Sequence, residues 1–283
     1  PISVLFAAPT VSACAALTAA EIGLVSENSE IKQTAPTRQF TYLVQMNQGG
    51  DRRKTPFFLV AGMFGNVMNL RDLSQQLDRD RAFFGIQARG LLGQERPHET
   101  LALAATDYIA EMRVVQPHGP YLVGGFSGGG LTAWEIARQL EADGEQVALL
   151  VLLDTPLPMR PTLSRTDKVL IKLAEFKEKG PAYLVEWARK RWQWEHFKRQ
   201  ETKQEVHTAA FQNLAVEAAF LAALPQFQMK RRDGMTVLFR PVLDRHWRVS
   251  GKNWVSKAKE YVFEDNQLGP FATELQIVEV PGD

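Results

Sequence analysis

PYLVGGFSGGGLTAWEIARQL, residues 120–140, is the stretch whose reading decides the fold. Its centre, Gly125-Phe126-Ser127-Gly128-Gly129, has the form G-x-S-x-G. The short apolar run Pro120–Gly124 precedes it, and Leu131–Leu140 has helical spacing and good helix formers, so the serine is expected on a sharp strand-to-helix turn. Such a turn strains the backbone at Ser127 and leaves no room for a Cβ two residues before or after it, a demand that Gly125 and Gly129 meet. It would lift the serine Oγ to the top of a sheet. It would also aim the Gly128 amide, at the positive end of the following helix, as an oxyanion donor. The plain alternative is a glycine-rich turn with an incidental serine.

A serine hydroxyl is a weak nucleophile until a base takes its proton and an acid orients that base. The next β-like run, residues 146–153, ends in Asp154-Thr155-Pro156. Residues just past strand ends line the crevice of an open parallel sheet, so Asp154 lies beside Ser127 if the two strands are neighbours. Asp154 reads either as that acid or as the cap of a turn, since Asp before Thr-Pro is a turn signal. The base is harder to place. His98 and His118 sit in polar, Pro-adjacent loops, and His196 and His207 in a charged helical region; all four read as surface histidines. His246, in LDRHWRVS, follows the expected strand at residues 236–239 and is the internal candidate. A base is expected after the last strand, residues 274–280, which runs into Pro281-Gly282-Asp283.

GPYLVGGFSGGGLTAWEIARQL, VALLVLLDTPLP with Asp154 one strand after Ser127, and the ending VPGD together resemble the thioesterase domain that releases products from modular polyketide synthases and nonribosomal peptide synthetases. The order Ser then Asp then His is that of the α/β-hydrolases. The resemblance covers about residues 56–283. It implies an α/β-hydrolase fold: a mostly parallel central sheet with helices on both faces and a helical lid. It implies Ser127 as nucleophile, Asp154 as acid, and a general-base histidine immediately after Asp283. The loop Ala61–Asn66 would supply the second oxyanion donor from the backbone of Met63, or of Phe64 one residue on, to act with Gly128. The implied activity is release of a carrier-bound polyketide or peptide acyl chain through a serine acyl-enzyme, followed by hydrolysis or macrocyclisation. The domain would bind no cofactor of its own. Its substrate would arrive as a thioester on the phosphopantetheine of an upstream acyl or peptidyl carrier domain, its main partner. A stand-alone esterase or lipase and a non-catalytic carrier-docking module are the alternatives.

Residues 1–25 resemble the tail of such a carrier domain: Pro1–Leu17 carries an L-F-x-x-P-T pattern and a helix-start signal at Pro9-Thr10. An ordinary N-terminal helix is the other reading. Residues 26–37 are polar and read as linker, leaving 38–283 as the hydrolase domain. Within it, apolar runs at 38–44, 56–60 and 81–87 read as strands and residues 70–77 and 101–115 as helices, an alternation that implies a parallel sheet. From about 160 to 232 helical patterns follow one another, which marks the lid. That segment holds fifteen Lys and Arg against eight Asp and Glu, while the whole chain carries a net charge of +1. The basic excess either steers an acidic partner, such as a phosphopantetheine phosphate, or is a solvated helix surface. Trp187, Trp192, Trp194 and Phe197 suit packing on one helix face.

With 45% hydrophobic residues the chain can bury one large core. No apolar run reaches the roughly 18 residues needed to span a membrane, so no membrane partner is expected. Cys14 is the single cysteine, which excludes an internal disulfide and suits a reducing cytoplasm. No Cys/His cluster has metal-site spacing, no phosphate-binding G-x-x-x-x-G-K-[ST] or dinucleotide fingerprint occurs, and no nucleic-acid-binding module is recognisable.

Overall fold

The computed structural model describes residues 40–47, 51, 53–77, 80–93, 95–157, 161–180 and 213–281. The expected carrier tail, the linker, the lid aromatics from Trp187 to Phe197, and His196 and His207 lie outside these residues.

The apolar runs become strands: β1 (Leu43–Gln45), β2 (Phe57–Val60), β3 (Phe83–Ile86), β4 (Tyr121–Phe126), β5 (Val147–Leu153), β6 (Arg232–Pro241) and β10 (Ala272–Val280). They form one sheet in the order β1-β3-β2-β4-β5-β6-β10. Only β1 runs antiparallel to its neighbour. Successive side chains of a strand face opposite ways, and β2 shows the result. Phe58 and Val60 join the core under helices α2 (Leu101–Val115) and α3 (Gly129–Ala142), whereas Phe57 and Leu59 pack with Val67, Leu70 and Leu73 around α1 (Arg71–Gln76) on the other face. Burial on both faces is why these strands read as continuous apolar runs rather than as alternating ones.

Local chemistry sets the helix ends. Thr100 caps α2 by accepting the Leu103 N–H at 3.2 Å. The Glu111 carboxylate of α2 accepts the N–H groups of Thr41, Tyr42 and Leu43 at 2.7–2.9 Å and fastens β1 to the helix layer. α3 is buried along most of its length, with Trp134 fully enclosed and its Nε1 donating to the Lys230 carbonyl at 2.9 Å. Arg232, whose side chain is also fully enclosed, donates to Glu141 at 2.6 Å and to Thr236 Oγ1 at 2.7 Å, and so ties the end of α3 to the start of β6.

Several boundaries differ from the sequence reading. The first strand begins at Leu43 rather than Arg38, and β6 extends well beyond residues 236–239 at both ends. The stretch between β6 and β10 holds a small antiparallel sheet that the sequence did not announce: β7 (Trp247–Arg248), β8 (Trp254–Val255) and β9 (Tyr261–Val262). Strands of two residues carry too little periodicity to be read. Between residues 160 and 232 the described elements are helical, α4 (Arg165–Lys179) and α5 (Asn213–Ala223), as expected.

Replacing Arg232 by Ala removes a fully enclosed cation with its bonds to Thr236 and to the half-buried Glu141. Loss of about 3 kcal/mol of stability is expected, because breaking a buried ion pair costs more than the pair contributes. Denaturant unfolding checks this, and a change below about 1 kcal/mol, the scale of a surface pair, would show the contact to be dispensable.

Candidate active site

The chain passes from β2 outward to β3 and then returns to β4 on the other side of β2. The C-terminal ends of β2 and β4 therefore flank a point where the strand order reverses, the usual place for a ligand crevice in an open α/β sheet. Two loops emerge there, the one after β2 that begins Ala61-Gly62-Met63 and the turn from β4 into α3.

Ser127 occupies that turn with φ of +49°, a conformation that L-residues rarely adopt. Its N–H donates to Leu153 O at 2.7 Å, which holds the turn against the end of β5. The crowding is extreme. A Cβ on Gly129 would overlap the Ala61 carbonyl oxygen, and one on Gly125 would sit 2.5 Å from Gly130 Cα. Glycine is thus required at both places the motif names. Gly128 is the N-cap of α3, and its own would-be Cβ lies 3.3 Å from Met63 Cβ. The two expected oxyanion residues, Met63 and Gly128, therefore stand side by side. The first amides of α3 belong to the set that a helix leaves without an intrahelical partner, so they are available to a ligand oxygen.

Asp154 follows β5 directly. Phe126 and Leu153 are register partners on adjacent parallel strands, so Ser127 and Asp154 take equivalent places one strand apart. Asp154 also has a positive φ, +48°, and its N–H donates to Phe239 O of β6 at 2.8 Å. Its exposed side chain opens on a cavity of about 720 Å³. The walls include Leu157 and Leu163, Lys168 of α4, Val242 after β6, and Tyr261 and Phe263 around β9.

The walls are fastened by one buried carboxylate. Asp167 of α4, 2% exposed, accepts the Ser250 N–H at 3.0 Å, the Ser250 and Tyr261 hydroxyls, and the Ser164 hydroxyl at 2.7 Å. The Ser164 hydroxyl in turn caps α4 by accepting the Asp167 N–H at 3.0 Å. These bonds, the Ser250 and Tyr261 hydroxyls foremost, hold the Asp167 carboxyl well below the ordinary carboxylate range. Helix α4 and the small sheet are thereby locked together. On the opposite side α5 lies over the turn: a Cβ on Gly128 would approach Phe220 Cζ to 2.8 Å. Val216 and Ala223 of α5 are buried, and Ala223 packs with Leu101 and Leu131.

The histidines divide. His246 is exposed, lies edge-on to Trp247 with ring centroids 4.3 Å apart, and is not among the described residues lining the Asp154 cavity. His118 is a surface residue paired with Glu145. His98 corrects the sequence reading: it is only 9% exposed, with Nε2 at 2.9 Å from Asp107 Oδ2 and its ring against Tyr42 and Tyr108. Burial lowers its pKa, and the bond to Asp107 acts the other way. The polar residues around it in sequence belong to a loop that folds inward onto α2. Among the described residues no group of three His, Cys, Asp or Glu side chains is placed to hold a metal ion.

A family model described as a thioesterase domain matches residues 55–224, more than half of the chain. The chain belongs to the thioesterase domain family. Indigoidine synthase of Dickeya dadantii (strain 3937) is 39% identical to it over 185 residues, 65% of this chain and 11% of that protein. Malpinin synthetase of Mortierella alpina is 40% identical over 135 residues, 48% of this chain and 2% of that protein. Polyketide synthase PksR of Bacillus subtilis (strain 168) is 38% identical over 124 residues, 44% and 5% respectively. The chain therefore matches at most 11% of the length of these relatives. A four-domain nonribosomal peptide synthetase solved with AMP and glycine superposes with a TM-score of 0.61 at 21% identity, over 99% of this chain and 20% of that one. The NocB thioesterase domain, solved as a covalent complex with a fluorophosphonate nocardicin G analogue, superposes with a TM-score of 0.54 at 22% identity, over 86% and 90%. Both likenesses bear out the α/β-hydrolase fold. Among the described residues no helix is long and apolar enough to cross a membrane.

Asp167 also sets an acid limit. Its folded pKa is depressed, so its contribution is fully present above the unfolded value of about 4 and is lost as the pH falls through the folded value. Asp167→Asn is expected to lower the melting temperature at pH 7, and the gap from the parent should narrow as the pH falls below about 4. Thermal melts across that range check it, and a gap independent of pH would refute the linkage.

Proposed function

We propose that this thioesterase domain releases an acyl chain from a carrier by serine acyl-enzyme chemistry. The observation that carries the reading is Ser127 at positive φ on the turn between β4 and α3, with Gly128 and Met63 beside it and Asp154 one strand away. Ser127 Oγ attacks the thioester carbonyl and its proton passes to the base. The C–S bond then breaks and the phosphopantetheine thiolate leaves, protonated by the base. The Gly128 and Met63 amides receive the tetrahedral oxyanion, fixed dipoles that need no reorganisation when charge develops. Water, or a hydroxyl or amine of the acyl chain itself, then attacks the ester on Ser127 and frees the product as an acid or a ring. The thioester arrives on the phosphopantetheine of an upstream carrier domain, in keeping with relatives that are multidomain synthetases.

Asp154 orients the base, a histidine following Asp283. Support for that position comes from β10, which is parallel to β6 and delivers the chain at Val280 to the same rim of the sheet as Ser127 and Asp154. The Asp154 cavity, whose described lining includes Leu157, Leu163 and Phe263 but not Ser127, receives the acyl chain beyond the reacting carbonyl.

A fluorophosphonate is expected to label Ser127, mapped by mass spectrometry, and Ser127→Ala to abolish labelling. Adducts on another residue would overturn the assignment. Asp154→Asn should leave the fold intact and lower turnover of an acyl thioester by up to about 10⁴-fold, the scale of acid removal in a serine triad. A protein carrying the parental residues after Asp283 should turn over faster than one ending there. His246→Ala should change neither, and full activity in the short chain that His246→Ala abolishes would make His246 the base.

A further inference from the structure

The Asp154 turn is held by more than its own strand. Thr155 is fully buried, and its side chain fills the notch at Gly130, where a Cβ would stand 2.7 Å from Thr155 Cβ. The Thr155 carbonyl oxygen accepts a hydrogen bond from Asn266 Nδ2 at 3.0 Å, across 111 residues of sequence. A carbonyl oxygen can only accept, so the nitrogen of the Asn266 amide must face it.

The loop that presents Asn266 is built for that contact. Asn266 and Gln267 both have positive φ, +48° and +61°, and asparagine tolerates that region better than most side chains. The Asp265 carboxylate accepts the Gln267 N–H at 2.8 Å and the Gly269 N–H at 3.0 Å. Arg240, buried at the end of β6, donates through Nε to the Glu264 carbonyl at 2.8 Å. Leu268 is fully buried and anchors the loop in the main core. A rigid loop therefore aims one side-chain amide at the Thr155-Pro156 peptide, one residue beyond Asp154.

We propose that Asn266 is a positioning residue for Asp154, its amide fixing the strained Asp154-Thr155 turn so that the carboxylate stays aimed at the base. Phe239 O accepts the N–H of Asp154, in the peptide before the acid, and Asn266 Nδ2 donates to the carbonyl of Thr155, in the Thr155-Pro156 peptide, so the two bonds hold the turn at its two ends with the Asp154-Thr155 peptide between them. This inference rests on the reading of Asp154 as the acid.

The test uses the full parent protein and measures the rate of fluorophosphonate labelling of Ser127, with kcat and KM for an octanoyl N-acetylcysteamine thioester. Asn266→Gly keeps the backbone conformation accessible without the amide, and Asn266→Asp replaces the donor by an acceptor. Both should slow labelling and lower kcat about tenfold, the loss of a single aligning hydrogen bond, with KM nearly unchanged. In an Asp154→Asn background neither substitution should slow labelling further. Equal slowing in both backgrounds, with a fall in melting temperature, would mean that Asn266 only stabilises the fold and would overturn the proposal. Slow Asp154→Asn with normal Asn266 variants would overturn it while leaving Asp154 as the acid. Normal labelling in Asp154→Asn would overturn the assignment of the acid, and the proposal with it.

Discussion

The contact on which the rest depends is the close approach of the first turn of α3 to the loop after β2. A helix can start that close to a neighbouring backbone only where side chains are absent, and Gly125, Gly129 and Gly130 clear the space against Ala61, the α3 backbone and Thr155. Once α3 begins there, the chain has to reverse sharply after Phe126, and Ser127 is driven to positive φ. The strain is offset by the Ser127 N–H bond to Leu153 O and by the burial of α3 beneath it. Packing of the same turn against Met63 places Gly128 and Met63 side by side. The positions of Ser127, Gly128 and Met63 are thus consequences of one packing problem solved with glycine.

Around this rigid centre the second layer is assembled from parts distant in sequence. Asp167 joins the start of α4 to Ser250 and Tyr261, and Asn266 joins the loop before β10 to Thr155. Buried hydrogen bonds to an ionised carboxylate are among the stronger polar contacts in a protein, so the wall of the Asp154 cavity is better braced than its short strands suggest. Helix α5 lies over the Gly128 side, with Phe220 on the turn and Val216 near Gly65. The surroundings of Ser127 are accordingly drawn from helices outside the sheet, whereas Ser127 and Asp154 themselves sit at strand ends.

Much of this was legible in the residues. The helix expected at 101–115 is α2 with the same ends, because Thr100 is a strong N-cap and Leu101, Ala104, Tyr108 and Met112 repeat at helical spacing. The strands of the sheet centre were visible as runs such as VALLVLL, since burial on both faces removes any polar alternation. The Ser127 turn was legible because its glycines have a steric reason that a short motif can carry. His98 was misread for the opposite reason. Its neighbours are polar, and only the fold of the loop onto α2 reveals that Asp107 and two tyrosine rings enclose it. Asn266 was missed altogether. The Asp265-Asn266-Gln267 run signals a turn, and nothing local says that its amide reaches Thr155.

The sequence by itself determined the helices and strands of the main parallel sheet, the glycine-cleared turn at Ser127 and the candidacy of Asp154, because each depends on residues within a few positions of one another. The tertiary structure decided which strands are neighbours, and hence that Ser127 and Asp154 stand one strand apart. It also decided that His246 faces solvent, that His98 does not, and that Asp167 and Asn266 brace the cavity wall. The Asp167 and Asn266 contacts join groups about 80 to 110 residues apart, and the enclosure of His98 needs a loop folded back onto α2 and β1. Such contacts exist only once the chain has closed its long loops, so no local pattern can encode them.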